Sequence, residues 1–280
     1  MKSAISKPAP AHPRVALVTG ASGGLGAAMA GALARKGWHV FAASRSARSD
    51  AGGDLGDGHV EPLFMDVTQE SSICAALARI CERGMDIDLL INNAGINVSG
   101  VVEEMPREQG RAIMDTNFYG VVDTIRAVLP HMRKRRRGTI LTIGSLAGLV
   151  APPGEAYYAA SKHALEGLLE SLQYEVASFG VRVCLAEPGF VRTNLARGAA
   201  AIPATCADYD NIRVALKQHW VAAIDDGMLV DAMAERIVDW AITGRGFRKR
   251  FGLDALWAPI AKQLLPESIF YTVARRKFGI

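Results

Sequence analysis

Short β-branched runs alternate with longer stretches of helical spacing over most of the chain. "RVALVTG" (14–20) reads as a buried strand entering a turn, and "LGAAMAGALARKG" (25–37) as a small-residue helix closed by a glycine. Apolar runs at 38–44, 60–67, 87–95, 139–145 and 181–189 predict five further strands. Helices are expected near 69–83, 103–115, 117–136 and 155–179. The strands are continuous apolar runs, so both sheet faces must be covered. Right-handed crossovers then predict an α/β fold, a doubly wound parallel sheet of six to seven strands with helices on both faces.

Residues 1–13, with Pro8, Pro10 and Pro13, predict a flexible lead-in tail, and 14–280 a single domain. Within it, 190–230 turns helical and less regular, and 245–280 is a basic, aromatic extension. Half of the 280 residues are hydrophobic, enough for a sizeable core. The net charge of +4 is spread along the chain and argues against a nucleic-acid partner. Cys74, Cys81, Cys184 and Cys206 form no CxxC pair and no His cluster joins them, so reduced thiols and no metal are expected. No secretory signal opens the chain, and the longest apolar stretch, 140–153, is broken by polar and glycine residues. A cytoplasmic protein is expected.

Candidate chemistry starts at "TGASGGLG" (19–26) between the first strand and helix. Gly20, Gly24 and Gly26, with Ser22 and Leu25 between them, suit a backbone that approaches a pyrophosphate at a helix N-terminus. This makes the sheet Rossmann-type. The second strand ends "FAASRS" without the acid that would bind a ribose hydroxyl. Arg45 stands there, with Ser44 and Ser46 beside it, so NADP(H) is favoured over NAD(H). Arg48 is a rival ligand, and a solvated loop is the alternative reading of Arg45.

"TGASGGLG", "NNAG" (92–95), Asn117, Ser145, "YAASK" (158–162) and "EPGFVRT" (187–193) resemble, in order and spacing, the short-chain dehydrogenase/reductase family. The resemblance covers about 14–195. "GSLAGL", "SKHALEGLLESL" and "FGVRV" are further similar to its 17β-hydroxysteroid and retinol dehydrogenase branch. The family resemblance implies that Asp66 and Val67 flank the adenine, that Asn93, Ala94 and Gly95 line the cofactor, and that Val191 and Thr193 hold the carboxamide. It implies a catalytic set of Asn117, Ser145, Tyr158 and Lys162, with Tyr158 and Lys162 also touching cofactor. A homodimer or homotetramer paired through the helices near 103–136 and 156–179 is implied as well. Leu25 and Gly144 depart from the commoner Ile and Ser.

The chemistry implied is reversible oxidation of a secondary alcohol to a ketone, with Tyr158 as general acid and base. In "EAYYAASK" (155–162), Tyr158 and Lys162 are four apart and share a helix face, whereas Tyr157 is out of phase and reads as packing or pocket wall. A nearby ammonium favours the phenolate over its ordinary pKa of about 10. Ser145 would donate to the substrate oxygen, and Asn117 would hold a water linking Lys162 to solvent. Phe190, Leu195, Ile202, Tyr209, Ile212, Leu216 and Trp220 suit a cover over a steroid-, retinoid- or aryl-sized substrate, or plain helix core. "RKRRR" (133–137) reads as a solvated helix end. "RGFRKRF" (245–251) and "ARRKF" (274–278) suit either peripheral membrane contact or a substrate cover. The competing functions are a non-catalytic NADP sensor or scaffold, and an NAD-dependent dehydrogenase of a small polar substrate.

Overall fold

Seven parallel strands form the centre of the molecule, and an eighth runs antiparallel at one edge. The computed structural model describes residues 14–46, 52–192 and 200–280. The expected N-terminal tail, Arg48, Thr193 and Leu195 lie outside those residues.

The first half runs β1 (Arg14–Thr19), α1 (Gly24–Ala34), β2 (Trp38–Ser44), β3 (Gly53–Leu55), β4 (Gly58–Phe64), α2 (Glu70–Glu82) and β5 (Ile87–Asn92). It continues with β6 (Val98–Ser99), α3 (Arg107–Met114), a π-helical turn (Asp115–Tyr119), α4 (Gly120–Arg135) and β7 (Gly138–Ile143). Then come α5 (Ala156–Val176), β8 (Val181–Pro188), β9 (Ala200–Ala201), α6 (Asp210–Asp225) and α7 (Val230–Thr243). The chain closes with β10 (Arg248–Phe251), α8 (Leu253–Leu264) and α9 (Glu267–Phe278).

The sheet order is β10-β8-β7-β5-β1-β2-β4-β3. From β1 the chain first builds outward through β2 and β4, then returns to β5 on the other side. That reversal is a topological switch point, and a ligand crevice is expected outside the C-terminal strand ends there. Strand periodicity explains the two cores. Val15 and Leu17 of β1 pack on one face with α2, α4 and α5, through Ile73, Val128 and Leu169. Ala16 and Val18 pack on the other with α1 and α7, through Met29, Leu33 and Ile237. Leu17 and Leu169 are fully buried, and truncating either to Ala would cost about 2–5 kcal/mol.

Three features differ from the sequence expectations. The two helices expected over 103–136 form one continuous helical stretch with a π turn inside it. β10 was hidden by its charge: "RKRF" lacks the apolar signature, yet it is the seventh parallel strand, beside β8. Its arginines face buried acids. Arg248 Nε lies 2.7 Å from Glu187, and its Nη2 lies 2.7 Å from Glu166 on α5. Thus Arg248–Phe251, within the basic run 245–251, belongs to the sheet. The short strands β3, β6 and β9 also carry no sequence signal.

The basic run 133–137 ends α4 and is spent on local contacts. Arg135 donates to the Ile87 carbonyl at 2.6 Å, Arg137 pairs with Asp88, and Arg136 takes the left-handed cap. Among the described residues no helix is long and apolar enough to cross a membrane.

Candidate active site

The glycine turn is wedged against the end of β5. A Cβ on Gly20 would lie 2.7 Å from Ala94 Cα, and one on Gly26 2.4 Å from the Gly20 carbonyl oxygen. Gly20 also has φ of +65°, which an L side chain rarely adopts. Polar groups lock this contact: Asn93 Nδ2 donates to the carbonyls of Thr19 and Gly20, and Thr19 Oγ1 accepts from the Asn93 and Ala94 amides at 3.0 Å each. Asn93 and Ala94 therefore shape the loop as well as lining it.

At Gly23 and Gly24 the situation reverses. A Cβ there would meet nothing within 4 Å, and α1 begins with no side-chain cap and no acid in its first turn. Its leading amides are left open toward the cavity, the arrangement that takes phosphate oxygens. Ser22, Leu25, Ser44, Arg45, Asp66, Val67 and Gly95 line the same space. Arg45 is exposed at the turn after β2, and Ser44 is buried beneath it. Asp66 Oδ1 accepts from the Thr68 amide at 2.9 Å and holds the bend after β4. These residues fit a dinucleotide. Val191 lines the far end of this half.

Beyond it, Ser145, Tyr158 and Lys162 come together on one wall. Ser145 follows β7 and opens a short turn, where its Oγ accepts from the Ala147 amide at 3.1 Å. Its hydroxyl also hydrogen-bonds Tyr158. Lys162, one helical turn on, is 6% exposed and donates to the Ile143 carbonyl at 2.8 Å. One of its three N–H donors is thus used and two remain. Its Nζ lies 5.6 Å from the Tyr158 ring centre.

Desolvation dominates the electrostatics here. It pushes Tyr158 up to about 12, opposed by the Ser145 hydrogen bond and reinforced by Glu155. It pushes Lys162 down to about 8. The phenolate expected from the lysine alone is therefore not favoured in the protein by itself. At neutral pH Tyr158 holds its proton, the state a proton donor needs.

Asn117 sits fully buried in the π turn. Its Oδ1 accepts from the Ile96 amide at 2.8 Å, and its Nδ2 donates to the Ile96 carbonyl and to Ser161. The side chain is wholly engaged in fastening the loop after β5 to α5. Tyr157 points elsewhere and packs on α3, where a Cβ on Gly110 would meet its ring at 2.5 Å.

The cavity, about 1240 Å³, continues past Tyr158 into an apolar half. Phe190, Trp220, Trp257, Phe270 and Phe278 wall it. The Phe190 and Trp220 rings are 5.8 Å apart, and Trp220 and Phe278 5.9 Å. The expected cover over 190–230 is thus only part of the wall, because α8 and α9 supply the rest. Other candidate cover residues serve as packing: Ile202 joins Val98 and Met105, and Tyr209 donates to Glu103. Polar anchors hold these elements down. Glu104 accepts from the Thr205 and Cys206 amides and from Arg213 of α6. Asp254 of α8 accepts from the Phe190 amide at 2.7 Å, and Lys262 donates to the Leu149 carbonyl.

The sequence reading missed Glu155, Asn97 and Ser99, which line the cavity next to Tyr158. An acid just before a helix ordinarily reads as a dipole partner, so its burial carried no signal.

A profile described as "short chain dehydrogenase" matches residues 14–202. The chain belongs to the short chain dehydrogenase family. It is 40% identical over 182 residues to the 3-ketodihydrosphingosine reductase of Bacteroides thetaiotaomicron, covering 65% of each protein. The match thus spans slightly less than two thirds of that relative's length. It is also 40% identical over 189 residues to the 3-oxoacyl-acyl-carrier-protein reductase FabG of Escherichia coli, covering 66% of this chain and 76% of that one. Among solved structures, a short chain dehydrogenase from Burkholderia cenocepacia in complex with NADP aligns with a TM-score of 0.73 and 28% identity, over 93% of this chain and 97% of the other. One from Burkholderia phymatum in complex with NAD aligns with a TM-score of 0.79 and 25% identity, over 93% and 95%. In this short chain dehydrogenase the family match ends at residue 202, whereas the structural likeness extends over 93% of the chain.

Proposed function

We propose that the protein is an NADP(H)-dependent oxidoreductase that interconverts a ketone and a secondary alcohol on a long, apolar substrate. One observation carries this reading: Ser145, Tyr158 and Lys162 meet where an open glycine cradle passes into an aromatic-walled cavity. The nicotinamide group, when bound, supplies or accepts the hydride. Tyr158 gives its proton to the carbonyl oxygen in reduction and takes it back in oxidation. The Ser145 hydroxyl donates to that oxygen as negative charge grows on it. Lys162, with two free N–H donors, binds the cofactor's ribose and keeps positive charge beside the phenol. Asn117 acts as a positioning residue, and a water link to Lys162 would fall to the main chain of the π turn.

Gly20, Ser22, Gly24, Leu25, Gly26, Asn93, Ala94 and Gly95 hold the cofactor's phosphates and ribose, Asp66 and Val67 its adenine, and Val191 with Thr193 its carboxamide. Arg45 reads a 2′-phosphate, which favours NADP(H). The long cavity and the substrates in the two curated relatives' names support an alkyl or acyl chain over a steroid or retinoid. The exposed Leu253 and Leu264 of α8 and the basic last turn of α9, with Arg275 and Lys277, suit the expected membrane contact. Residues 14–280 act as one catalytic unit, paired into a homodimer or homotetramer through α4 and α5.

The test is NADPH oxidation with long-chain ketones. Tyr158→Phe should lower kcat by about 1000-fold and leave NADPH affinity nearly unchanged. Undiminished turnover in that variant would overturn the mechanism. NADPH binding without turnover of any ketone by the wild type would favour a sensor instead.

A further inference from the structure

Next to Tyr158 lies a carboxyl group that the reduction itself does not use. Glu155, the residue before α5, is 5% exposed and faces the cavity. Its Oε1 accepts from Ser99 Oγ at 2.6 Å. The Asn97 side chain also hydrogen-bonds it. Asn97 thereby turns its N–H toward the carboxyl and leaves its own Oδ1 buried without a partner. Burial raises the Glu155 carboxyl above its ordinary range, and no cation lowers it. Among the described residues, then, a buried acid and a buried carbonyl oxygen stand side by side with no counter-charge.

A buried carboxyl without a counter-ion and a buried oxygen without a donor are costly and call for an explanation. Their place supplies one. Glu155 stands three residues before Tyr158, on the same side of the helix start, and its charge acts on Tyr158. A carbonyl oxygen held by Tyr158 and Ser145 would share one cavity with the Glu155 and Asn97 oxygens.

We propose that Glu155, Asn97 and Ser99 form a cation subsite for a protonated amine on the carbon next to the substrate's carbonyl. The preferred substrate is then a long-chain α-amino ketone. This deepens the reductase reading and rests on it. An ammonium has three N–H donors and can serve Glu155 and Asn97 Oδ1 together, whereas a hydroxyl has a single proton to give. A carboxylate or phosphate at that carbon would be repelled. The alkyl tail would run between Phe190, Trp220, Trp257 and Phe278.

The experiment compares three ketones with one long saturated tail, using the full-length protein and NADPH. One carries an α-amine, one an α-hydroxyl and one only hydrogen at that carbon. The wild type should favour the amino ketone over the plain ketone by about 100-fold or more in kcat/KM. Glu155→Gln, which keeps the side chain's size, should cut that ratio at least about tenfold, and Asn97→Ala should cut it less. A loss of folding would lower both rates in parallel, so the ratio separates recognition from damage. Equal wild-type rates on the amino and plain ketones, a preference for the hydroxy ketone, or an unchanged ratio in Glu155→Gln would overturn the subsite and leave the reductase reading standing. Failure to reduce any of the three, with NADPH bound, would remove the reductase reading and the subsite with it.

Discussion

The two halves of the cavity are built from different materials. The nucleotide half is made of main chain at strand ends: Gly20 against Ala94, Gly26 against the Gly20 carbonyl, and open amides at Gly23 and Gly24. The substrate half is made of side chains on α6, α8 and α9, held to the sheet by a few polar anchors such as Glu104 and Asp254. Where main chain meets main chain, at Gly20 and Gly26, there is no room for an added atom, whereas a side-chain wall can be re-cut without moving the sheet. That difference lets one fold keep a cofactor and change a substrate.

The strongest way to break this comparison is Gly26→Ala. The new methyl would collide with the Gly20 carbonyl and with Asn93 Nδ2 at 2.5 Å, and no flexible side chain alone can yield. Overpacking of this kind costs about 1–3 kcal/mol, so NADPH affinity measured by fluorescence should fall by about 100-fold and Tm should drop. Normal affinity would mean that the loop is softer than its contacts imply.

Arg45→Asp acts on the same half through charge alone. The ratio of kcat/KM with NADPH to that with NADH should fall by about 10- to 100-fold, with the plain fold intact by circular dichroism. An unmoved ratio would dismiss Arg45 as the phosphate reader.

On the substrate side, Glu104→Ala leaves the Thr205 and Cys206 amides and Arg213 without their acceptor. The cover should loosen, KM for the ketone should rise by about fivefold to tenfold, and NADPH affinity should hold, since about 1–2 kcal/mol is lost away from the cradle. Equal damage to both constants would show that the halves are not separable.

The smallest expected effect concerns the sheet edge beneath α5. Burial and the neighbouring Glu187 charge raise Glu166 to about 7. The folded state therefore binds more protons than the unfolded state between the ordinary glutamate pKa and about 7, and stability should fall as pH rises through that window. Urea unfolding across it should show a shallower decline in Glu166→Gln. The same slope in both proteins would place the titrating group elsewhere.

Six of the seven parallel strands were legible: five are largely buried apolar runs, and β4, only partly buried, keeps Val60, Leu63 and Phe64 as its signal. β10 was not, because its charges answer Glu187 and Glu166 from elements more than sixty residues earlier. The helical spacing of Tyr158 and Lys162 was legible as a shared face. The rise of Tyr158 to about 12 was not, since desolvation depends on everything packed around the phenol. Tyr157 was separable from Tyr158 by helix phase, and it packs on Gly110. Glu155 was invisible as a site residue for the same reason as the tyrosine shift: a helix-start acid looks alike whether buried or solvated.

The sequence by itself determined the doubly wound sheet, the glycine cradle and the phase that selects Tyr158. All of these rest on local rules of strand period, helix period and backbone freedom at glycine. Only the tertiary structure decided how the cavity is walled, why Arg248 belongs to a strand, and which acid lines the cavity beside Tyr158. Those facts depend on burial and on partners distant in the chain, and a linear pattern carries neither.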